Sequence, residues 1–267
     1  MLTCTRPSQL PLLDSTCSVN KYGGRSDGYG AWHMCSEHMD AANVFSVGIG
    51  GDVSFDVTVV RRHRNASVFC FDPTISHSRF DHIVDLHNLS ADARARVHFY
   101  PFGLGAVDDV LPMYKSKDKR IGSLVSTPGL PGYNEYPYLH APVLKLLTLQ
   151  FVAKRSPPWR IDVLKVDIEG AEFSVFNNTK MEMKQFLACS PIMQVAIEFH
   201  DRMVASKRRS EPQEKKHDRS DTMDFLRSCG FYLRHSSASH EELLFVRTEP
   251  PSSRWCMCEA CLTGFGS

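Results

Sequence analysis

Short, wholly apolar runs recur along the chain, separated by stretches in which apolar residues return at helical spacing. "NVFSVGIG" (43–50) and "ASVFCFDP" (66–73) are too brief for buried helices and end in glycine or in Asp-Pro, which marks them as buried strands. Between them "SFDVTVVRRH" (54–63) sets Phe55, Val59 and Val60 on one helical face. The alternation continues with a helix over 80–96, a strand over 97–106 ("VHFYPFGLGA") and a helix over 144–155 ("LKLLTLQFVAKR"). Two further strands, "RIDVLKVDIEG" (160–170) and "PIMQVAIEFH" (191–200), follow, with short helical pieces at 171–178 and 183–188 between them. Strands alternating with helices predict an α/β fold, a mostly parallel sheet wrapped on both faces that binds ligands beyond the carboxyl ends of its strands. A helix over 221–229 stops at Gly230, and the runs 231–237 and 241–247 are so close that they must pair as an antiparallel hairpin.

Outside this core, residues 1–42 are rich in Gly, Ser and Pro and read as an irregular lead-in. The domain proper is expected over 43–248, with a charged, apolar-poor insertion at 203–220 and a disordered, cysteine-containing tail at 249–267. The 267 residues suit one large domain with extensions, and 42% hydrophobic residues suffice for a sizeable core. A net charge of +1 gives no field that would select nucleic acid or an anionic membrane. No run reaches the roughly 18 apolar residues of a membrane span, so the chain is expected to be soluble. Its compartment stays open between cytoplasm and, were a leader to precede it, the secretory lumen. Nine cysteines are an odd number in a long chain; Cys17 and Cys35 could pair in an oxidising compartment, but free thiols are the expectation.

Gly48, Gly50 and Gly51 fall where the first of these strands turns into its helix, a place where glycine lets a ligand approach the backbone. Asp72 ends the next strand, 24 positions after Gly48, about where dinucleotide folds place the acid that bonds ribose hydroxyls. Val53 occupies the third glycine position of G-x-G-x-x-G, and Asp52 would repel a pyrophosphate. A cofactor without phosphate fits better. S-adenosylmethionine has a ribose, and its sulfonium and amino group suit an acidic pocket; the closing hairpin points the same way.

The order "VFSVGIGGDVSFD", "VFCFDPT", "VHFYPFGLGA", "LTLQFV", "IDVLKVDIEGAE", "VAIEFH" and "CGFYLR…EELLFV", with the lead-in "GGRSDGYGAWHMC", resembles the FkbM-type methyltransferase domain, and more closely the methyltransferase-like protein 24 group. The resemblance spans about residues 22–246, and "LKVDIEGAE" is its most specific element. It implies a Rossmann-like class I methyltransferase with a seven-stranded sheet ordered 3-2-1-4-5-7-6 and strand 7 antiparallel. It also implies S-adenosyl-L-methionine as cofactor, with Gly48 and Gly50 along its methionine part, Asp72 at the ribose and Asp167 beside the reacting methyl group; Asp52, next to the glycine turn, joins them as a cofactor-binding candidate on its charge. One departure is Thr148-Leu149-Gln150, where many FkbM-type domains read Thr-Leu-Asp.

Residues two apart on a strand point the same way, so Asp167 and Glu169 share a face, as do Glu198 and His200. If those strands are neighbours, all four groups gather at one edge. Asp167, His200 and Glu198 are then the catalytic candidates, with His200, whose ordinary pKa of about 6.5 suits a general base, ahead of the others. Alternatively Asp167, Glu169, Glu198 and His200 could hold a divalent cation, which is possible but not expected. Glu169 could instead only cap the following helix, and His200 could serve only in structural hydrogen bonding. Cys256, Cys258 and Cys261 lack a fourth zinc ligand, and Lys207, Arg208, Arg209, Lys215 and Lys216 are interrupted by acids, as in a solvated loop. Trp32 is expected to pack as a lid aromatic, and residues 123–142 form a candidate lid on the acceptor side. The reading is an O-methyltransferase acting on a small-molecule or glycan-like acceptor. The alternatives are a methyltransferase-fold scaffold that has lost catalysis and a dinucleotide-dependent oxidoreductase.

Overall fold

A computed structural model describes residues 16–24, 30–117, 124–125, 132–153, 161–178, 183, 186–187, 190–200 and 219–248. In chain order its first elements are β1 (Val19–Gly23), β2 (Ala31–Cys35), β3 (Asn43–Val47), α1 (Ser54–Arg62), β4 (Ser67–Phe71), α2 (His77–Asp85), α3 (Ala91–Ala95) and β5 (Val97–Tyr100). There follow β6 (Gly103–Leu104), β7 (Asp109–Lys115), β8 (Leu124–Val125), β9 (Leu139–Leu144), α4 (Leu146–Val152) and β10 (Val163–Val166). The last are α5 (Glu172–Asn178), β11 (Gln194–Glu198), α6 (Arg219–Ser228), β12 (Phe231–Ser236) and β13 (Glu242–Arg247).

The central sheet has seven strands in the order β12-β13-β11-β10-β3-β4-β5. Numbered along the chain, this is the expected 3-2-1-4-5-7-6. β13 runs antiparallel to β11 and β12, while β11, β10, β3, β4 and β5 are mutually parallel. Both faces are covered, which is why these strands read as unbroken apolar runs. In β3 Val44 joins the cluster packed by α1, α2 and α3, whereas Phe45 and Val47 join the opposite one. β10 divides the same way, Val163 against Leu164 and Val166, and so does β11, Ala196 against Val195 and Ile197.

Several expectations are corrected. Within the lead-in expected to be irregular, β1 and β2 form an antiparallel hairpin. It docks on the core through Gln194, whose Oε1 accepts the Cys35 N–H at 2.8 Å and whose amide donates to the Cys35 carbonyl at 2.9 Å. Cys17 and Cys35 are joined by a disulfide rather than free. Both are buried, and the hairpin register, which sets Val19 opposite Cys35, brings Cys17 beside Cys35; with no hairpin expected in the lead-in, the pairing was not expected either. The single helix expected over 80–96 is two: Asn88 turns left-handed at φ 50, and Ser90 restarts the chain by accepting the Ala93 N–H at 3.2 Å. The strand expected over 97–106 also divides, and β6 leaves for a second sheet, β6-β9-β7-β8, that alternation along the chain did not announce.

Candidate functional site

The carboxyl ends of β4, β3, β10 and β11 lie side by side, so the residues that follow them meet at one edge. After β3 the chain turns through Gly48 at φ 74 and Gly50 at φ 54, a left-handed backbone that suits glycine. A Cβ on Gly48 would stand 1.5 Å from the Asp167 carbonyl oxygen, so the first turn is pressed against the end of β10. Beside Gly50 and Gly51 space opens: an added Cβ would meet nothing within 4 Å.

Asp72 is buried at this turn. Its Oδ2 accepts the Gly50 N–H at 2.7 Å, and its Oδ1 accepts the Thr74 N–H at 2.8 Å and the Thr74 hydroxyl at 2.5 Å. A carboxylate offers about four acceptor positions, so one is left for a ligand hydroxyl. Asp52 sits at the start of α1, where its Oδ1 accepts the Ser54 N–H at 2.8 Å. Its Oδ2 is buried against Gly30 and has no hydrogen-bond partner among the described residues. Trp32 is core, edge-on to Phe55, with the Lys165 ammonium 4.6 Å from its ring centre. Lys165, itself buried in β10, donates to the Gly48 carbonyl at 3.0 Å and so pins the glycine turn from below.

Asp167, Glu169, Glu198 and His200 do come together. His200 is 3% exposed. Its Nδ1 donates to Glu172 Oε1 at 2.8 Å, and the Ile168 N–H donates to the same oxygen at 3.1 Å. Its Nε2 faces Glu198 Oε1 at 3.5 Å, Glu169 Oε2 at 3.6 Å and Asp167 Oδ1 at 3.9 Å. Burial opposes a charge on His200, but the hydrogen bond and charge of Glu172, followed by Glu169 and Asp167, prevail and raise its pKa to about 10. Burial pushes Asp167 up against the pull of Lys165 and His200, and burial together with Asp167 pushes Glu198 up to about 8. With carboxylates facing both ring nitrogens, the charged form of His200 is favoured, above the ordinary value of about 6.5 that suits a general base.

Glu169 adopts φ 54, unusual for a residue with a side chain, and this conformation turns the chain between β10 and α5. Glu172, in the first turn of α5 and fully buried, was missed by sequence reasoning. A second acid three positions after Glu169 was a visible signal, but its partner lies 28 residues further on. Lys165 and Thr74 were missed for the same reason, a role defined only by contacts across the sheet edge. The Gln150 side chain, the basic residues of the insertion, the tail cysteines and part of the 123–142 segment lie outside the described residues.

A sheet of this order with its last strand reversed, a glycine turn after the first strand and acids at the ends of the second, fourth and fifth, defines the class I methyltransferase fold. Within that class, the Methyltransferase FkbM domain matches residues 40–233, and the chain belongs to that family. Among solved structures it is similar to the methyltransferase FkbM from Methylobacillus flagellatus KT, at TM-score 0.44 and 12% identity, covering 78% of this chain and 44% of that one. It is also similar to an O-methyltransferase family protein from Burkholderia thailandensis, at TM-score 0.39 and 10% identity, covering 81% of this chain and 54% of that one. A third is the aminoglycoside resistance methyltransferase NpmB1, at TM-score 0.39 and 11% identity, covering 86% and 100%. The chain thus spans less than half the length of the Methylobacillus protein. No curated relative matches it in sequence. Family membership sets aside the oxidoreductase reading. Among the described residues, no helix is long and apolar enough to cross a membrane.

Proposed function

We propose that this chain is an S-adenosylmethionine-dependent O-methyltransferase acting on a small-molecule or glycan-like acceptor. One observation carries the reading: the open glycine turn at Gly48 and Gly50 is tied to Asp72 on one side and pressed against Asp167 on the other. S-adenosylmethionine, when bound, supplies a methyl group activated by a sulfonium cation. The donor set fits it: the free acceptor position of Asp72 suits a ribose hydroxyl, and the unpartnered Asp52 oxygen and the carboxyl of Asp167 suit positive charge.

Transfer to a hydroxyl requires a group that takes its proton, and Asp167 and Glu198 bring carboxylate oxygens to the same edge. His200, fixed by Glu172, steadies the charge of both. The edge is partly shielded, with Asp167 and Glu198 half-buried around the buried His200, which would limit competition from water once cofactor and acceptor are bound.

The test is calorimetric titration of the purified chain with S-adenosylmethionine and its demethylated product, repeated on Asp72→Ala. Binding that weakens by about 1 to 3 kcal/mol in the variant is expected, because Gly50 and the ribose lose their acceptor. A folded chain that binds neither compound would make the scaffold reading the correct one.

A further inference from the structure

The carboxylates at the sheet edge outnumber the positive charge they surround. Asp167, Glu169 and Glu198 all face one edge of a single imidazole, and a fourth acid, Glu172, occupies its other nitrogen. We infer that Asp167, Glu198 and His200 form a binding site for one divalent cation, with Glu172 as the outer carboxylate that orients His200. This deepens the proposed function, since the ion would lie where that reading places the acceptor oxygen.

The spacing supports it. Carboxylate oxygens and imidazole nitrogens bind such ions at roughly 2.0–2.2 Å, so donors sharing one ion stand about 3 to 4 Å apart. Asp167, Glu198 and His200 each offer one ligand atom, and these atoms all lie within 4.8 Å of one another. The distances from His200 Nε2, 3.5 Å to Glu198 and 3.9 Å to Asp167, are of this size and longer than the roughly 2.7–3.2 Å of a good hydrogen bond.

The placing of His200 supports it as well. The ring is buried, and its Nε2 is aimed at Glu198, Glu169 and Asp167 at 3.5, 3.6 and 3.9 Å. A histidine whose Nδ1–H is held by a buried carboxylate has its ring fixed with Nε2 aimed at the site, and a cation bound there would replace the Nε2 proton, which leaves to solvent. Glu172 holds the Nδ1–H here, and the Ile168 N–H fixes Glu172 in turn. Two carboxylates and one imidazole suit Mn²⁺, Zn²⁺ or Fe²⁺ and leave positions open for acceptor oxygens.

The test is titration of the chelator-stripped full chain with Mn²⁺, following the free-ion electron paramagnetic resonance signal, on wild type, Glu198→Gln, Asp167→Asn and Glu172→Gln. Folding of each variant is checked by circular dichroism. One Mn²⁺ per chain, weakened at least tenfold in Glu198→Gln and Asp167→Asn and less in Glu172→Gln, is the expected result. Wild type that binds no Mn²⁺ below millimolar concentration, or binds it equally well in both ligand variants, would overturn the site. The wild-type titration alone decides if a variant does not fold. Mn²⁺ binding of the expected kind without any S-adenosylmethionine binding would uphold this site and reject the cofactor reading; the reverse pattern would do the opposite.

Discussion

Replacing Gly48 and Gly50 one at a time by alanine separates what the fold needs from what the ligand needs. Both glycines are left-handed, at φ 74 and φ 54, so each substitution incurs roughly 1 to 2 kcal/mol of backbone strain. Alanine also narrows the unfolded ensemble, which offsets about 0.4 to 1 kcal/mol of that at each site. At Gly50 nothing else opposes the methyl group, so the net loss of stability should be about 1 kcal/mol or less. At Gly48 the methyl carbon would lie 1.5 Å from the Asp167 carbonyl oxygen, and the two segments must separate. Separation strains the bonds from Gly48 N–H to the Phe71 carbonyl, at 2.9 Å, and from Asp167 N–H to the Val47 carbonyl, at 3.0 Å. At about 1 kcal/mol each, these bring the net loss to roughly 3 kcal/mol. Urea unfolding at 25 °C measures both variants. Gly50→Ala should keep its stability while losing affinity for S-adenosylmethionine; a Gly48→Ala loss below about 1 kcal/mol would refute the close contact between the glycine turn and β10.

Reducing the Cys17–Cys35 disulfide, which closes a loop of 18 residues, should lower stability by about 3 kcal/mol, seen as a thiol-dependent fall in melting temperature that Cys17→Ser abolishes. His33 of β2 and His235 of β12 stack with ring centres 4.1 Å apart. Burial lowers the pKa of both; His235 and Lys21 lower His33 further, against the pull of Glu242, and Arg234 lowers His235 further. A histidine depressed in the folded state contributes stability that is present above its unfolded pKa of about 6.5 and lost as pH falls through the lower folded value. Melting temperature should therefore drop on acidification below about pH 6.5, and His235→Phe, which keeps the stack without the charge, should flatten that slope.

The α/β class, the parallel core and the closing hairpin were legible in the sequence because both faces of the sheet are covered. Strands such as Val44–Val47 and Val163–Val166 are then apolar at nearly every position, and the period of their flanking helices differs from theirs. The pairs Asp167 with Glu169 and Glu198 with His200 were legible too, because strand alternation fixes which side chains share a face. The resemblance carried by "LKVDIEGAE" added the sheet order. Tertiary structure alone decided the rest. The β1–β2 hairpin docks on the core through Gln194, about 160 residues away, and the second sheet depends on partners separated by a long connection. The protonation of His200 was equally hidden: an isolated imidazole titrates near 6.5, and only the meeting of α5 and β11 puts Glu172 on one nitrogen and three acids before the other. Local periodicity is a property of neighbours in the chain. Electrostatic environment belongs to neighbours in space, and around His200 those come from the ends of two strands and the first turn of a helix.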